Sequence, residues 1–188
     1  TIAEGRAMVA AARRFNRVVQ VGTQQRSSGF FQDAIAFVKS GVLGRIRMVR
    51  AWAYLDWKGD IGNPPDEPAP ASVDFGTAPA RPFNKMRSHH NFRWFWDYSG
   101  GLMTDWGAHM IDVVMWAMGE APSGAASIGG KFGFPSDIRE TPDTQQALIE
   151  FPSFPLVWEH MIGCGQGPWS REHGVEFHGA NGILVVDR

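Results

Sequence analysis

Residues 104–118 (TDWGAHMIDVVMWAM) constrain the fold more than any other stretch. Met110, Ile111, Val113, Val114, Met115 and Trp116 leave almost no polar face, and a helix apolar nearly all round is buried. Such a helix needs a second layer to cover it. Thr104 is the expected N-cap, because its hydroxyl can accept from a free N–H of the first turn. Gly119 is the expected stop. Three ionisable side chains interrupt the apolar pattern: Asp105, His109 and Asp112. At about 100° per residue they fall on one stripe. Charged groups on a buried helix need partners or a cleft.

The remaining chain supplies the covering layer. Residues 2–15 are Ala-rich and predict a helix, with Arg13 and Arg14 favourably placed in its last turn. Residues 18–21 (VVQV) predict a short strand closed by Gly22. A helix leading into such a strand is the tail of a βαβ unit. Residues 30–40 have helical apolar spacing up to Gly41. Residues 45–57 predict a strand, and 58–90 a long Pro-rich loop carrying Phe, Arg and His, which favours an ordered, functional loop. Runs at 125–134, 144–151, 155–163 and 173–187 follow, each bounded by Gly or Pro. The expected fold is α/β (α+β): an open, mostly antiparallel sheet of about five strands with helices on one face. Both ends look cut, so the sequence reads as a fragment.

Charge and cysteine content exclude several classes. Lys and Arg number 18 against 19 Asp and Glu, so no electrostatic footprint for nucleic acid or an anionic membrane exists. A single cysteine excludes an intramolecular disulfide framework and a cysteine-rich zinc site. No apolar run reaches the roughly 20 residues that span a bilayer. The cytoplasm is the default compartment, and the periplasm stays open because an export signal would lie upstream.

Two readings of the Asp105/His109/Asp112 stripe stand side by side. The first is structural, a histidine held by two carboxylates. The second is acid–base chemistry by a histidine that a carboxylate orients. A metal shared by Asp105 and His109 ranks lowest, for want of an HExxH pattern or a Cys cluster. The flanking residues favour chemistry. Gly100-Gly101 permits close backbone approach. Arg93, Trp94, Trp96 and Trp106 place a cation and aromatic faces at the same helix start, a mixture that suits a sugar or polyol. Salt-bridging of Arg93 to Asp97 is the competing account. Gly22-Thr23-Gln24-Gln25-Arg26 follows the VVQV run, where α/β folds bind ligands, so Gln24 and Arg26 are candidates for touching a cofactor. His89-His90 and the 169–173 segment can approach the pocket. His160 and Cys164 are too far apart along a strand to form a thiol–base pair.

The stretch Gly100-Gly101-Leu102-Met103-Thr104-Asp105-Trp106-Gly107-Ala108-His109-Met110-Ile111-Asp112 resembles the GG-x-x-x-D-x-G-x-H-x-x-D signature of the Gfo/Idh/MocA oxidoreductases. Val21 to Arg26 and Ser40-Gly41-Val42-Leu43-Gly44-Arg45-Ile46 agree with that family in order. Phe75-Gly76-Thr77-Ala78-Pro79-Ala80-Arg81-Pro82-Phe83 resembles a loop of one bacterial branch. The resemblance implies a Rossmann domain binding NAD or NADP, with residues 1–22 as its tail, followed by a C-terminal substrate-binding and oligomerisation α/β domain over residues 23–188, cut short at its C-terminus. It implies catalytic positions at Asp105 and His109, with Asp112 in support. It places the family's lysine upstream of Thr1, so this chain alone should not turn over. The implied reaction is hydride transfer from a secondary alcohol of a sugar or polyol. One alternative is a relative that cleaves glycosides through transient oxidation. Another is a non-catalytic binding or dimerisation module. Homo-oligomerisation through the sheet fits all three.

Overall fold

The computed structural model describes residues 1–187 except Phe75 and Thr77; those two and Arg188 lie outside the described residues. Nine main elements follow in order: α1 (Ile2–Arg14), α2 (Gly29–Lys39), β1 (Ile46–Leu55), α3 (Trp106–Met118), β2 (Gly124–Gly130), β3 (Thr144–Glu150), β4 (Pro155–Ile162), β5 (His173–Gly179) and β6 (Gly182–Val186). Short 3₁₀ turns cover Gln24–Ser27, His89–Trp94, Gly101–Met103 and Pro168–Ser170.

The six strands form one sheet in the order β2-β3-β4-β1-β5-β6. Four pairings are antiparallel, as expected, but β1 runs parallel to β4 at its centre. Alternation along β1 sorts its two faces. Val49, Ala51, Ala53 and Leu55 are buried under α2 and α3, joined there by Trp158, Leu156, Val175 and Phe177. Arg50, Trp52 and Tyr54 point to the other face. Trp52 is nonetheless buried, because the segment before β5 wraps it and its Nε1 donates to the Arg171 carbonyl at 3.0 Å. Helices α2 and α3 therefore share one face, and the opposite face is open toward β2 and β3, where Ile128 and Leu148 are exposed.

Two expectations need correction. Residues 18–21 form no strand, since no neighbouring strand among the described residues offers them hydrogen bonds, and Val18 is fully exposed. The run 173–187 is two strands, not one. Ala180 and Asn181 turn it back, and the turn is pinned by Ala180 N–H to the Arg45 carbonyl and Asn181 Nδ2 to that of Val42. The sheet thus has six strands rather than about five.

The loop at 58–90 is anchored by its own polar groups, in line with an ordered loop. Asn84 is buried and donates to the Pro64 carbonyl and to Asp66. Arg87 reaches the Pro82 carbonyl, and Arg81 bridges Asp97 and Glu140.

Candidate functional site

Helix α3 begins one residue later than expected. The Thr104 hydroxyl accepts from Gly100 N–H at 3.0 Å and donates to the Gly101 carbonyl, so it ties the preceding turn and does not cap the helix. Asp105 takes the N-cap position, yet its side chain makes no capping bond. Its carboxylate instead lies 2.8 Å from Arg93 Nε. Arg93 therefore pairs with Asp105 and not with Asp97, which belongs to Arg81.

Gly101 fixes how the chain enters the site. Its φ is +70°, and a Cβ there would sit 2.7 Å from the Thr141 side chain. At Gly107 a Cβ would make ordinary contact with Trp158 at 3.4 Å and press on the flexible Met103 Sδ at 3.2 Å. Of the two positions, Gly101 is the one that depends on having no side chain.

The two carboxylates of the stripe serve different partners. Asp112 accepts from Arg26 twice, at 2.8 and 2.7 Å, and the guanidinium lies 5.4 Å from the Trp116 ring centre. The stripe is thus not a histidine held between two carboxylates. His109 is half-buried and makes no hydrogen bond or ion pair with any described residue. Its ring nitrogens are available to a ligand.

Other expected residues separate into groups. Trp96 is exposed and lines a cleft of about 1290 Å³ with Phe92, His89, Asn84, Gly100 and Thr104. Asp105 and His109 lie beyond that cleft's lining, one residue and one turn past Thr104. Trp106 packs against His173 with ring centres 4.8 Å apart and the rings tilted by 31°, so the 169–173 segment does reach the site. Trp94 is only 1% exposed, which corrects its expected contact with a ligand. It forms the core floor of the site, with Arg139 and Lys58 cations 5.4 and 5.9 Å from its ring. Gln24 is exposed, and Arg26, also exposed, is paired with Asp112. His160 donates from Nε2 to the Pro142 carbonyl and accepts from Trp158 Nε1, which leaves Cys164 without it. Burial holds its pKa down at about 4.

Sequence reasoning missed Lys58. It follows β1 by three residues and is 8% exposed. Its Nζ lies 2.9 and 3.0 Å from the two ring nitrogens of His90, while Arg93 donates to the His90 carbonyl. Burial first, and then the Arg93 charge, push its pKa down to about 8. The available signal was positional: a Trp-Lys pair just past the carboxyl end of a central strand, where open sheets place ligands.

Among the described residues, no group of three or more His, Cys, Asp and Glu side chains is arranged to hold a metal ion. Nor is any helix long and apolar enough to cross a membrane.

Comparison with known proteins places this arrangement. The model for the C-terminal α/β domain of the Gfo/Idh/MocA oxidoreductase family matches residues 33–128. No curated protein matches the chain. Among solved structures, an oxidoreductase domain protein from Kribbella flavida is 23% identical over all of this chain, with a TM-score of 0.69, and 45% of its own length is covered. The WlbA dehydrogenase from Bordetella pertussis, solved with NADH and UDP-GlcNAcA, is 18% identical over 98% of this chain and 48% of its own, with a TM-score of 0.67. Levoglucosan dehydrogenase, solved with NADH and levoglucosan, is 19% identical over 98% of this chain and 44% of its own, also at 0.67. These likenesses establish the fold, and the chain spans less than half the length of each. With its six-stranded sheet and with more than half of its residues matched by the family model, the chain belongs to the Gfo/Idh/MocA oxidoreductase family, within its C-terminal α/β domain.

Proposed function

We propose that this chain is the substrate half of an NAD(P)-dependent oxidoreductase that acts on a secondary alcohol of a sugar or polyol by hydride transfer. The observation that carries the reading is the start of α3. There Arg93 fixes one carboxylate, and a histidine with free ring nitrogens follows one turn later, both in the family's α/β domain. The relatives solved with NADH, one holding levoglucosan and one UDP-GlcNAcA, support the same class of substrate.

When bound, the nicotinamide supplies the hydride acceptor. His109 takes the proton of the reacting hydroxyl, a task suited to imidazole because histidines titrate near neutrality. Asp105, held in place by Arg93, accepts from a neighbouring hydroxyl. Trp96 and Trp106 offer flat apolar faces to the C–H side of a sugar ring. Asp112 is a positioning residue that works through Arg26. Gln24, exposed beside Arg26, can meet a dinucleotide.

These residues fit a nicotinamide ring but not its phosphates. The Gly129-Gly130-Lys131 run ends a strand and opens no helix, so it cannot cradle a pyrophosphate. We therefore assign the phosphates to a separate Rossmann domain with residues 1–22 as its tail, and expect no turnover from these 188 residues alone. Helix α1 supports this assignment: it buries none of its side chains and exposes Ile2, Met8 and Val9.

The test uses the full-length protein with NAD or NADP and a panel of sugars and polyols, read by NADH or NADPH formation. His109→Ala should lower turnover by about 10²- to 10⁴-fold. Near-normal turnover in that variant sinks the role. Sugar release without net reduced cofactor would replace the dehydrogenase by a glycoside-cleaving enzyme.

A further inference from the structure

Two cations and one carboxylate meet beside the start of α3. Arg93 uses Asp105, at 2.8 Å. That leaves Lys58 buried with no anion of its own. Its contacts are the His90 ring, the Trp57 face with its centre 4.1 Å from Nζ, and the more distant Trp94 ring. An ammonium has three donors, and a neutral imidazole has one acceptor nitrogen. The His90 ring can therefore accept from only one of the three Lys58 donors. Withdrawing a cation from water without an opposite charge is costly.

The unmatched cation is not sealed in. His90 and Trp57, which cover it, are themselves exposed. Arg93 converges on the same spot, because its Nη1 donates to the His90 carbonyl while its Nε faces Asp105. A group arriving at His90 therefore meets an ammonium with a guanidinium beside it. The Asp105 carboxylate offsets only one of the two charges.

We propose that Lys58 and Arg93 form a receptor for an anionic group on the substrate, a carboxylate or a phosphate, next to the Asp105–His109 pair. This deepens the dehydrogenase reading and rests on it for the identity of the ligand as substrate. The preferred substrates are then sugar acids or sugar phosphates over neutral polyols. The anion binds Lys58 by charge-assisted hydrogen bonds and raises the lysine's proton affinity. It also fixes which hydroxyl is presented to His109. Burial, and then the Arg93 charge, hold the Lys58 pKa down to about 8, which agrees with that reading.

Reductive methylation of the full-length protein, followed by mass spectrometry of the Lys58 peptide, tests the receptor without turnover. The competing probes are D-glucuronate, D-glucose 6-phosphate, inorganic phosphate and D-glucose. Protection by glucuronate or by glucose 6-phosphate, with none by glucose, is the expected result, and which of the two protects tells carboxylate from phosphate. Protection by inorganic phosphate alone overturns the substrate assignment. Equal labelling with every probe overturns the receptor itself.

The second measurement is selectivity. In Lys58→Met the ratio of kcat/KM for the protecting anionic sugar to that for glucose should fall about 10- to 100-fold. An unchanged ratio refutes the assignment. If that variant does not fold, the wild-type labelling still decides. The two readings fail separately. Lys58 protection with no cofactor reduction on any sugar leaves the receptor standing and removes the dehydrogenase. Cofactor reduction with no protection does the reverse.

Discussion

His160 shows how a titratable side chain can serve packing. It is 2% exposed, and both ring nitrogens are used in the neutral form, one accepting from Trp158 and one donating to the Pro142 carbonyl. Protonation would turn the accepting nitrogen into a donor facing another donor. The folded-state pKa is about 4, against 6.5 for an ordinary histidine. Between those values the unfolded chain binds the extra proton and the native chain does not, so stability falls as pH drops through that window. The full loss is about 3 kcal/mol. Urea midpoints at pH 7.0 and 4.5 should differ accordingly, and a flat profile over that range would refute the assignment. Asp143 acts lower on the pH scale. The N–H groups of Phe132, Gly133 and Phe134 and the Thr144 hydroxyl hold its pKa below the ordinary value despite burial, so its contribution is lost only under more acid conditions.

Single residues also show what could be read without coordinates. Asp105, His109 and Arg93 were visible because residue type and spacing announced them. Lys58 was not, since its meaning depends on burial and on a His90 far along the chain. Trp94 failed for the opposite reason. An aromatic residue in a ligand-like stretch reads the same whether its ring faces a cleft or the core.

At the level of elements, the sequence located α2, α3 and most strands, because hydrophobic period and Gly/Pro punctuation are local signals. Three errors had non-local or overlooked causes. Residues 18–21 have strand composition but no neighbour to pair with. The β5–β6 turn is Ala180-Asn181 between Gly179 and Gly182, a two-residue loop that the apolar run around it obscured. The start of α3 shifted because Thr104 found a better use in the preceding turn. That turn yields a sharp prediction at Gly101. An alanine there must adopt φ near +70° and crowd Thr141. Gly101→Ala should cost about 1–3 kcal/mol, readable as a lowered Tm, and it should misplace Asp105. An unchanged Tm would show that the turn tolerates a side chain.

At the scale of the whole molecule, the sheet has two unlike faces. One is sealed by α2 and α3. The other combines exposed Ile128, Leu148 and Ile183 with the Arg50–Glu159 ion pair, whose carboxylate is buried. A mixed face of this kind suits a self-complementary contact, and we expect the intact protein to form homo-oligomers through it. Leu148→Glu should then lower the mass measured by light scattering in solution. A mass that stays constant would move the interface elsewhere, and a monomeric parent would remove it.

The parallel pairing of β1 with β4 has a kinetic consequence. Every other junction in the sheet except β1–β5 joins neighbours in sequence, but β1 must find partners roughly a hundred residues downstream, and loop closure of that size is slow. Lys58, His90, Arg93, Asp105 and His109 all lie inside the excursion that this pairing closes. The chain emerging from a ribosome therefore holds these side chains on an open tether until β4 and β5, which begin at Pro155 and His173, have been made. The proposed receptor and the proposed Asp105–His109 pair would then come into being together, as a late event of folding.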